Sequence, residues 1–262
     1  MNRVLTGDWL DLAADLPASS IDLVYADPPF NTGSAKRTPP RAGVRGRVLS
    51  ARYEDCWPDT GSYIAWLRAR VEATLPALRP AGVVLIHCDW RTSHRVRMML
   101  DDVLGEDRFV NHLVWSYGLG GSSPRRFARK HDDILAYCIH PSRYYFNPPR
   151  IPATSRRLAG RTKKATDVLD IPAINNMAGE RTGYPTQKPL ALLRVLVGAF
   201  CPPHGTLLDP CCGSGTALVA AAESGRTAIG FDANEVAGRI ARARLDGRHP
   251  APATRPRTRR RP

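Results

Sequence analysis

The chain has 262 residues, 43% of them hydrophobic, and its 38 Lys and Arg against 24 Asp and Glu leave a formal net charge of +14. That length admits one large domain or two small ones with ample chain for a core, and that composition excludes wholesale disorder. The richest apolar stretch, residues 190–200, is shorter than the ~18 residues of a membrane span and carries Arg194, so no membrane partner is expected.

Taken in chain order, the first predicted strand is IDLVYA, residues 21–26, a buried-length run that ends in Asp27-Pro28-Pro29-Phe30. Each proline ring fixes its own φ and the second confines the first to extended conformations, so this tetrapeptide is stiff. It presents the Asp27 carboxylate and the Pro28 carbonyl as fixed acceptors beside the flat ring of Phe30. An exocyclic amino group on a ring that needs stacking suits that set; a proline-rich strand exit with a core Phe is the plainer alternative. An acid-free run from Thr32 to Arg52 follows, with Lys36, Arg37, Arg41, Arg45, Arg47 and Arg52 among Gly and Pro.

Tyr63, Leu67, Val71, Leu75 and Leu78 recur at helical spacing, and VVLIHC (83–88) predicts the next strand. Further strands are predicted over 112–117, 133–139, 206–209 and 227–231. The series Leu192, Val195, Leu196, Ala199 predicts a helix, with Pro189 suited to its first turn. Strands alternating with helices predict an α/β fold with a parallel sheet. From about Gly118 to Gly183 that rhythm breaks, and the stretch reads as an insertion with one convincing strand.

After TLLD (206–209), PCCGSGTALVAAAE sets a Gly-x-Gly turn, Gly213 and Gly215, at the head of an Ala-rich helix. Glycines there let the backbone turn tightly and approach a ligand. The next strand ends in Asp232, where an acid accepts hydrogen bonds from ribose hydroxyls. Strand, glycine turn, helix, strand and acid in that order predict a nucleoside-type cofactor. Leu218 stands where a third dinucleotide glycine would, which disfavours NAD.

The charge is unevenly placed. Residues 248–262 hold six Arg and no acid, are Pro-rich, and are expected to be a disordered basic tail. With the run after Phe30 and the segment RRFARK (125–130), they form three basic patches, either solvated surface or the track of a polyanion. The N-terminal stretch has no apolar core of a secretory signal, and the six cysteines lack zinc-type spacing, so a cytoplasmic location and no metal are expected.

Asp27-Pro28-Pro29-Phe30 resembles the catalytic D-P-P-Y/F motif of S-adenosylmethionine-dependent DNA amino-methyltransferases. Asp209-Pro210-Cys211-Cys212-Gly213-Ser214-Gly215-Thr216 resembles their cofactor loop, with Cys211 where Phe is common. Tyr184-Pro185-Thr186-Gln187-Lys188-Pro189 is similar to the motif preceding that loop, and Gly7-Asp8 and His87-Cys88-Asp89-Trp90 match further segments. Catalytic motif first and cofactor loop late is the order of the β class.

The resemblance implies a Rossmann-like methyltransferase sheet, circularly permuted, with a target-recognition insertion. It implies a catalytic half at 1–117 with a basic mobile loop at about 32–52, the insertion at 118–183, a cofactor half at 184–247 and the tail at 248–262. The methyl of S-adenosyl-L-methionine would pass to N6 of an adenine flipped from double-stranded DNA, with cytosine N4 or RNA as the alternative and a non-catalytic DNA-binding relative as a third reading. Asp27, Pro28, Pro29 and Phe30 would carry the transfer. The cofactor would contact Asp8, Thr186, Gln187, Lys188, Asp209, Pro210, Cys211, Gly213, Ser214, Gly215, Thr216 and Asp232. Arg125, Arg126, Arg129, Lys130, Arg161, Lys163 and Lys164 would contact DNA, mostly at phosphates. His131 and Asp132 are given no catalytic part, and Cys211 is read as packing rather than as a nucleophile. A homodimer and a cognate restriction endonuclease are partners that this resemblance leaves open.

Overall fold

The structure is a computed structural model and describes residues 1–34, 36–37, 52–53, 55–118, 121–153, 155–175 and 178–247. Most of the expected 32–52 loop and all of the expected disordered tail, 248–262, lie outside the described residues.

In chain order the elements are β1 (Arg3–Thr6), α1 (Trp9–Ala14), β2 (Ile21–Ala26), β3 (Lys36–Arg37), β4 (Arg52–Tyr53), α2 (Thr60–Thr74), β5 (Leu78–Cys88), α3 (Ser93–Leu104), β6 (Phe109–Ser116) and β7 (His131–Cys138). They continue with β8 (Arg150–Pro152), β9 (Thr162–Lys164), β10 (Val168–Asp170), α4 (Leu190–Phe200), β11 (Thr206–Asp209), α5 (Thr216–Glu223), β12 (Thr227–Asp232) and α6 (Glu235–Leu245).

Eight strands form one sheet in the order β1-β12-β11-β2-β5-β7-β6-β10, while β3 with β4 and β8 with β9 form small separate ladders. Every neighbouring pair in the large sheet is parallel except those of β7, which runs antiparallel to both β5 and β6. All six residues of β2 are buried, as a central strand covered on both faces requires. From Leu23 to Ala26 its side chains alternate between two cores, and a register irregularity between Ile21 and Leu23 turns Ile21 to the same core as Val24. Leu23 and Tyr25 pack with Leu192, Leu196 and Leu218 of α4 and α5, while Ile21 and Val24 pack with Trp9, Tyr63, Leu67 and Met99 of α1, α2 and α3. The result is a helix, sheet, helix sandwich.

The helical periodicity of 63–78 overshoots. The α-helix ends at Thr74, the chain tightens into a 3-10 turn over Leu75–Ala77 with Leu75 still helical at φ −56° and ψ −41°, and Leu78 turns extended to open β5 instead. Within 118–183, strand β7 lies between β5 and β6 in the central sheet and β10 extends the sheet's edge. The remainder of that stretch holds the β8–β9 hairpin, so its described residues contain four strands rather than one.

Candidate active site

Two adjacent strand ends build the site. β11 and β2 are parallel neighbours with Leu207 opposite Leu23 and Leu208 opposite Val24, so Asp209 and Asp27 leave the sheet at the same end. From β11 the chain winds through α5 to β12 on one side, and from β2 it winds through α2 to β5 on the other. This reversal opens a crevice at the carboxyl ends of the strands, where open α/β sheets bind ligands.

A cavity of about 830 Å3 occupies that crevice. Its walls include Asp8, Asp27, Pro28, Pro29, Phe30, Thr186, Gln187, Lys188, Asp209, Pro210, Cys211, Gly213, Ser214, Thr216 and Asp232. The structure therefore gathers all four residues of the tetrapeptide and all but one of the expected cofactor residues around one space. Gly215 is the one off the wall. It caps α5 with φ +75°, and a Cβ there would sit 2.8 Å from the Cβ of Ala241. Its missing side chain is what lets α5 approach α6.

Gly213 has φ +50°, and its N–H donates to Asp232 Oδ2 at 2.8 Å while Asn234 N–H donates to Oδ1 at 2.8 Å. Burial pushes the Asp232 carboxyl above its ordinary range despite these two bonds. Asp209 is raised further by burial and by the negative charge of Asp27, and it accepts from Cys211 N–H at 3.2 Å. The Cys211 thiol is likewise pushed well up by burial and by Asp209, so it stays a thiol, unsuited to nucleophilic attack.

Asp27 is held by Lys188, whose Nζ donates to Oδ1 at 2.8 Å and to Oδ2 at 2.6 Å. The same ammonium lies 5.1 Å from the centroid of the Phe30 ring. Behind the tetrapeptide stands His87, fully buried at the end of β5. Its Nδ1 shares a 2.9 Å hydrogen bond with the Tyr25 hydroxyl, its Nε2 a 3.3 Å hydrogen bond with Asp132 Oδ2, and its ring lies 5.7 Å from that of Phe30. Burial pushes the Asp132 carboxyl up, but His87, the Lys188 charge and the Tyr117 hydroxyl together outweigh it and hold the group below its ordinary range. Asp8 caps α1 by accepting from Leu10 N–H and is gripped by Arg70 Nη2 at 2.7 and 2.8 Å.

Sequence reasoning missed several of these wall and backing residues: Trp9, Tyr25, Trp57, Trp66, Arg70, Asn234 and His87. Two carried a signal. Arg70 is a charge on the apolar stripe of α2, one turn from Trp66, and its guanidinium stacks 4.2 Å from that ring. His87 is a polar residue inside an otherwise apolar strand. The others depend on which distant elements meet.

Of the expected DNA contacts, Arg126 and Arg129 border a second, smaller cavity of about 340 Å3 with Trp90, Phe127 and Asp132. Arg129 stacks 3.2 Å from the Trp90 ring centroid, and Phe127, between Arg126 and Arg129 in sequence, is 97% exposed. Arg125 is exposed in the same segment, whereas Lys130 turns its ammonium onto the Gly118 carbonyl at 2.9 Å. Arg161, Lys163 and Lys164 belong to the β8–β9 hairpin and line neither cavity.

A mainly parallel sheet that sets a glycine turn beside an acid-headed strand end is the sheet of the Rossmann-like methyltransferases. The model of the DNA methylase family that covers N6 and N4 amino-methyltransferases matches residues 21–243, and the chain belongs to that family. The family's cofactor is S-adenosyl-L-methionine and its substrate is DNA. Among its relatives is the type II methyltransferase M.HpaI of Haemophilus parainfluenzae, 28% identical over 248 residues that cover 93% of this chain and 74% of the relative. Another is the DNA adenine methyltransferase YhdJ of Escherichia coli K12, 27% identical, with 93% and 82% covered. The fold is shared with M1.HpyAVI in a SAM complex, at TM-score 0.65 and 20% identity over 94% of this chain and all of that one. It is also shared with the cytosine-N4-specific PvuII DNA methyltransferase, at TM-score 0.65 and 16% identity over 94% of each chain. Among the described residues no helix is long and apolar enough to cross a membrane.

Proposed function

We propose that the protein transfers the methyl group of S-adenosyl-L-methionine to N6 of an adenine flipped out of double-stranded DNA. The observation that carries this reading is the shared cavity, which lets a cofactor on the Asp209 side and a base on the Asp27 side meet without crossing a wall.

The cavity residues fit the cofactor. Gly213, at φ +50°, turns its backbone N–H onto Asp232, whose half-buried carboxylate suits a pair of ribose hydroxyls. Asp55 and Arg70 belong to the wall, and buried Asp55 Oδ1 and Arg70 Nε have no partner among the described residues, which leaves polar groups beside the cavity unsatisfied without a ligand. Thr186, Gln187 and Lys188 would hold the methionine end. Bound there, the cofactor supplies a methyl already activated on a sulfonium, so the chain's own work is positioning and electrostatics.

On the other side, Phe30 offers its face to the base, and Asp27 with the Pro28 carbonyl accepts from the two N–H bonds of the exocyclic amine. Those contacts turn the nitrogen lone pair toward the methyl. No covalent bond between base and protein is required. His87 backs the Phe30 ring and, through Tyr25 and Asp132, keeps the floor of the base site in one geometry. Outside the cavity, the exposed Phe127 and the guanidiniums of Arg125, Arg126 and Arg129 offer an apolar tip among phosphate anchors.

Asp rather than Ser at the head of the tetrapeptide, with one relative, YhdJ, named as a DNA adenine methyltransferase, favours adenine over cytosine. Expression in a host that lacks its own adenine methylation, followed by modification-sensitive sequencing of the host DNA, is expected to show N6-methyladenine at one short recurring sequence. Cytosine N4 marks there would transfer the reading to the other amino group.

A further inference from the structure

Lys188 stands in the place of the substrate. Its ammonium donates to both oxygens of Asp27, at 2.6 and 2.8 Å, and lies over Phe30 at 5.1 Å; Asp27 is assigned above to the target amine and Phe30 to the ring that bears it. The pair is largely sheltered, with side-chain exposures of 10% for Lys188 and 19% for Asp27. An ammonium with three N–H donors meets the acceptors that an exocyclic amine with two would otherwise take.

The backbone that carries Lys188 is clamped on both sides. Gln187 Oε1 accepts from Thr182 N–H and from the Thr182 hydroxyl, and Gln187 Nε2 donates to the Glu180 carbonyl at 2.7 Å. Glu180 Oε2 in turn accepts from Leu190 N–H at 3.0 Å. With the main chain fixed, only the four-carbon stem of Lys188 is free to redirect its charge, and a lysine head is a compact point charge with rotatable donors.

We propose that Lys188 is a switch cation, shared between the Asp27 carboxylate in the free protein and the amino-acid carboxylate of the bound cofactor. The inference rests on the reading of the cavity as the S-adenosyl-L-methionine site. One ammonium cannot fully satisfy two separated carboxylates, so the cofactor's carboxylate draws Lys188 away and uncovers Asp27. Cofactor binding then precedes capture of the amine, and without cofactor Asp27 stays capped against unproductive engagement of a base. Lys188 thus acts as a positioning residue that couples the two halves of the cavity.

The test is calorimetric and needs no DNA. S-adenosylhomocysteine carries the carboxylate without the sulfonium charge, and 5′-methylthioadenosine fills the nucleoside site without a carboxylate. Asp27→Asn should tighten S-adenosylhomocysteine by about five-fold or more and leave methylthioadenosine within about two-fold, five-fold being about 1 kcal/mol. Lys188→Met should weaken S-adenosylhomocysteine by about tenfold, leave methylthioadenosine unchanged, and remove the effect of adding Asp27→Asn. Unchanged methylthioadenosine affinity also reports that each variant is folded. An Asp27→Asn variant that leaves S-adenosylhomocysteine unchanged, or tightens both nucleosides alike, would overturn the switch while the cofactor site stands. A wild-type protein that binds neither nucleoside would overturn the cofactor site and the switch with it.

Discussion

In the proposed transfer Asp27 is the residue on which the chemistry turns, and its surroundings separate binding from transfer. The cofactor side of the cavity is built by β11, β12 and the Tyr184–Pro189 segment, none of which needs Asp27 to fold. Asp27→Ala should therefore retain cofactor binding in calorimetry and lower methyl transfer by at least ~100-fold, the scale of removing one preorganised polar group. The cysteines make a contrasting case. Burial, then the charge of Asp209, pushes the thiols of Cys211 and Cys212 well up, and burial does the same for Cys88, whereas Cys56 is exposed. Brief iodoacetamide treatment of the folded protein should label Cys56 alone by peptide mass mapping, and Cys211→Ser should still methylate. Rapid labelling of Cys211, or its absolute requirement, would return it to the nucleophile reading. Asp27 and the glycine turn were legible because stiff or chiral backbone chemistry is written locally. Arg70 and His87 showed only as polar residues in apolar patterns, since the part a buried polar group plays is fixed by the partner that tertiary structure brings to it.

Between elements, the site depends on how closely α5 and α6 pack. Gly215 and Gly225 share a positive φ, +75° and +72°, but only Gly215 faces a close neighbour, Ala241. Gly225→Ala should cost roughly 1 kcal/mol for its left-handed backbone alone. Gly215→Ala should cost roughly 1–3 kcal/mol more, because helix α6 must shift as well. Urea unfolding of the two variants separates these contributions. At the other end of the cavity, β5 and β7 place His87 against Asp132. The folded Asp132 carboxyl lies below its unfolded range of about 4, so its contribution to stability is present above that pH and is lost as pH falls through the folded value. Wild type should exceed Asp132→Asn in urea midpoint at pH 5, and the gap should shrink by pH 3. Strands with continuous apolar runs, such as β2 and the apolar end of β5, were predicted at or near their observed limits. Edge strands β1 and β10 were not, because a strand with one neighbour need not be apolar on both faces.

At the scale of the whole molecule, the +14 charge divides by place. The tail from 248 to 262 carries six of those charges, while Arg126 and Arg129 border the second cavity. Removing residues 248–262 should weaken DNA binding at low salt and flatten its dependence on salt, with no change in the sequence that is methylated. A changed recognition sequence would show that the tail reads bases. The charge pattern alone left solvated surface and polyanion open, and the sheet order is what set the two chemical strand ends side by side. One transfer defines the proposed activity, and following the methyl group measures it most directly. Purified protein is incubated with methyl-labelled S-adenosyl-L-methionine and duplex DNA of varied sequence, and the product is digested to nucleosides. Label in N6-methyldeoxyadenosine is the predicted result; label in N4-methyldeoxycytidine, or none in DNA that the protein binds, would contradict it.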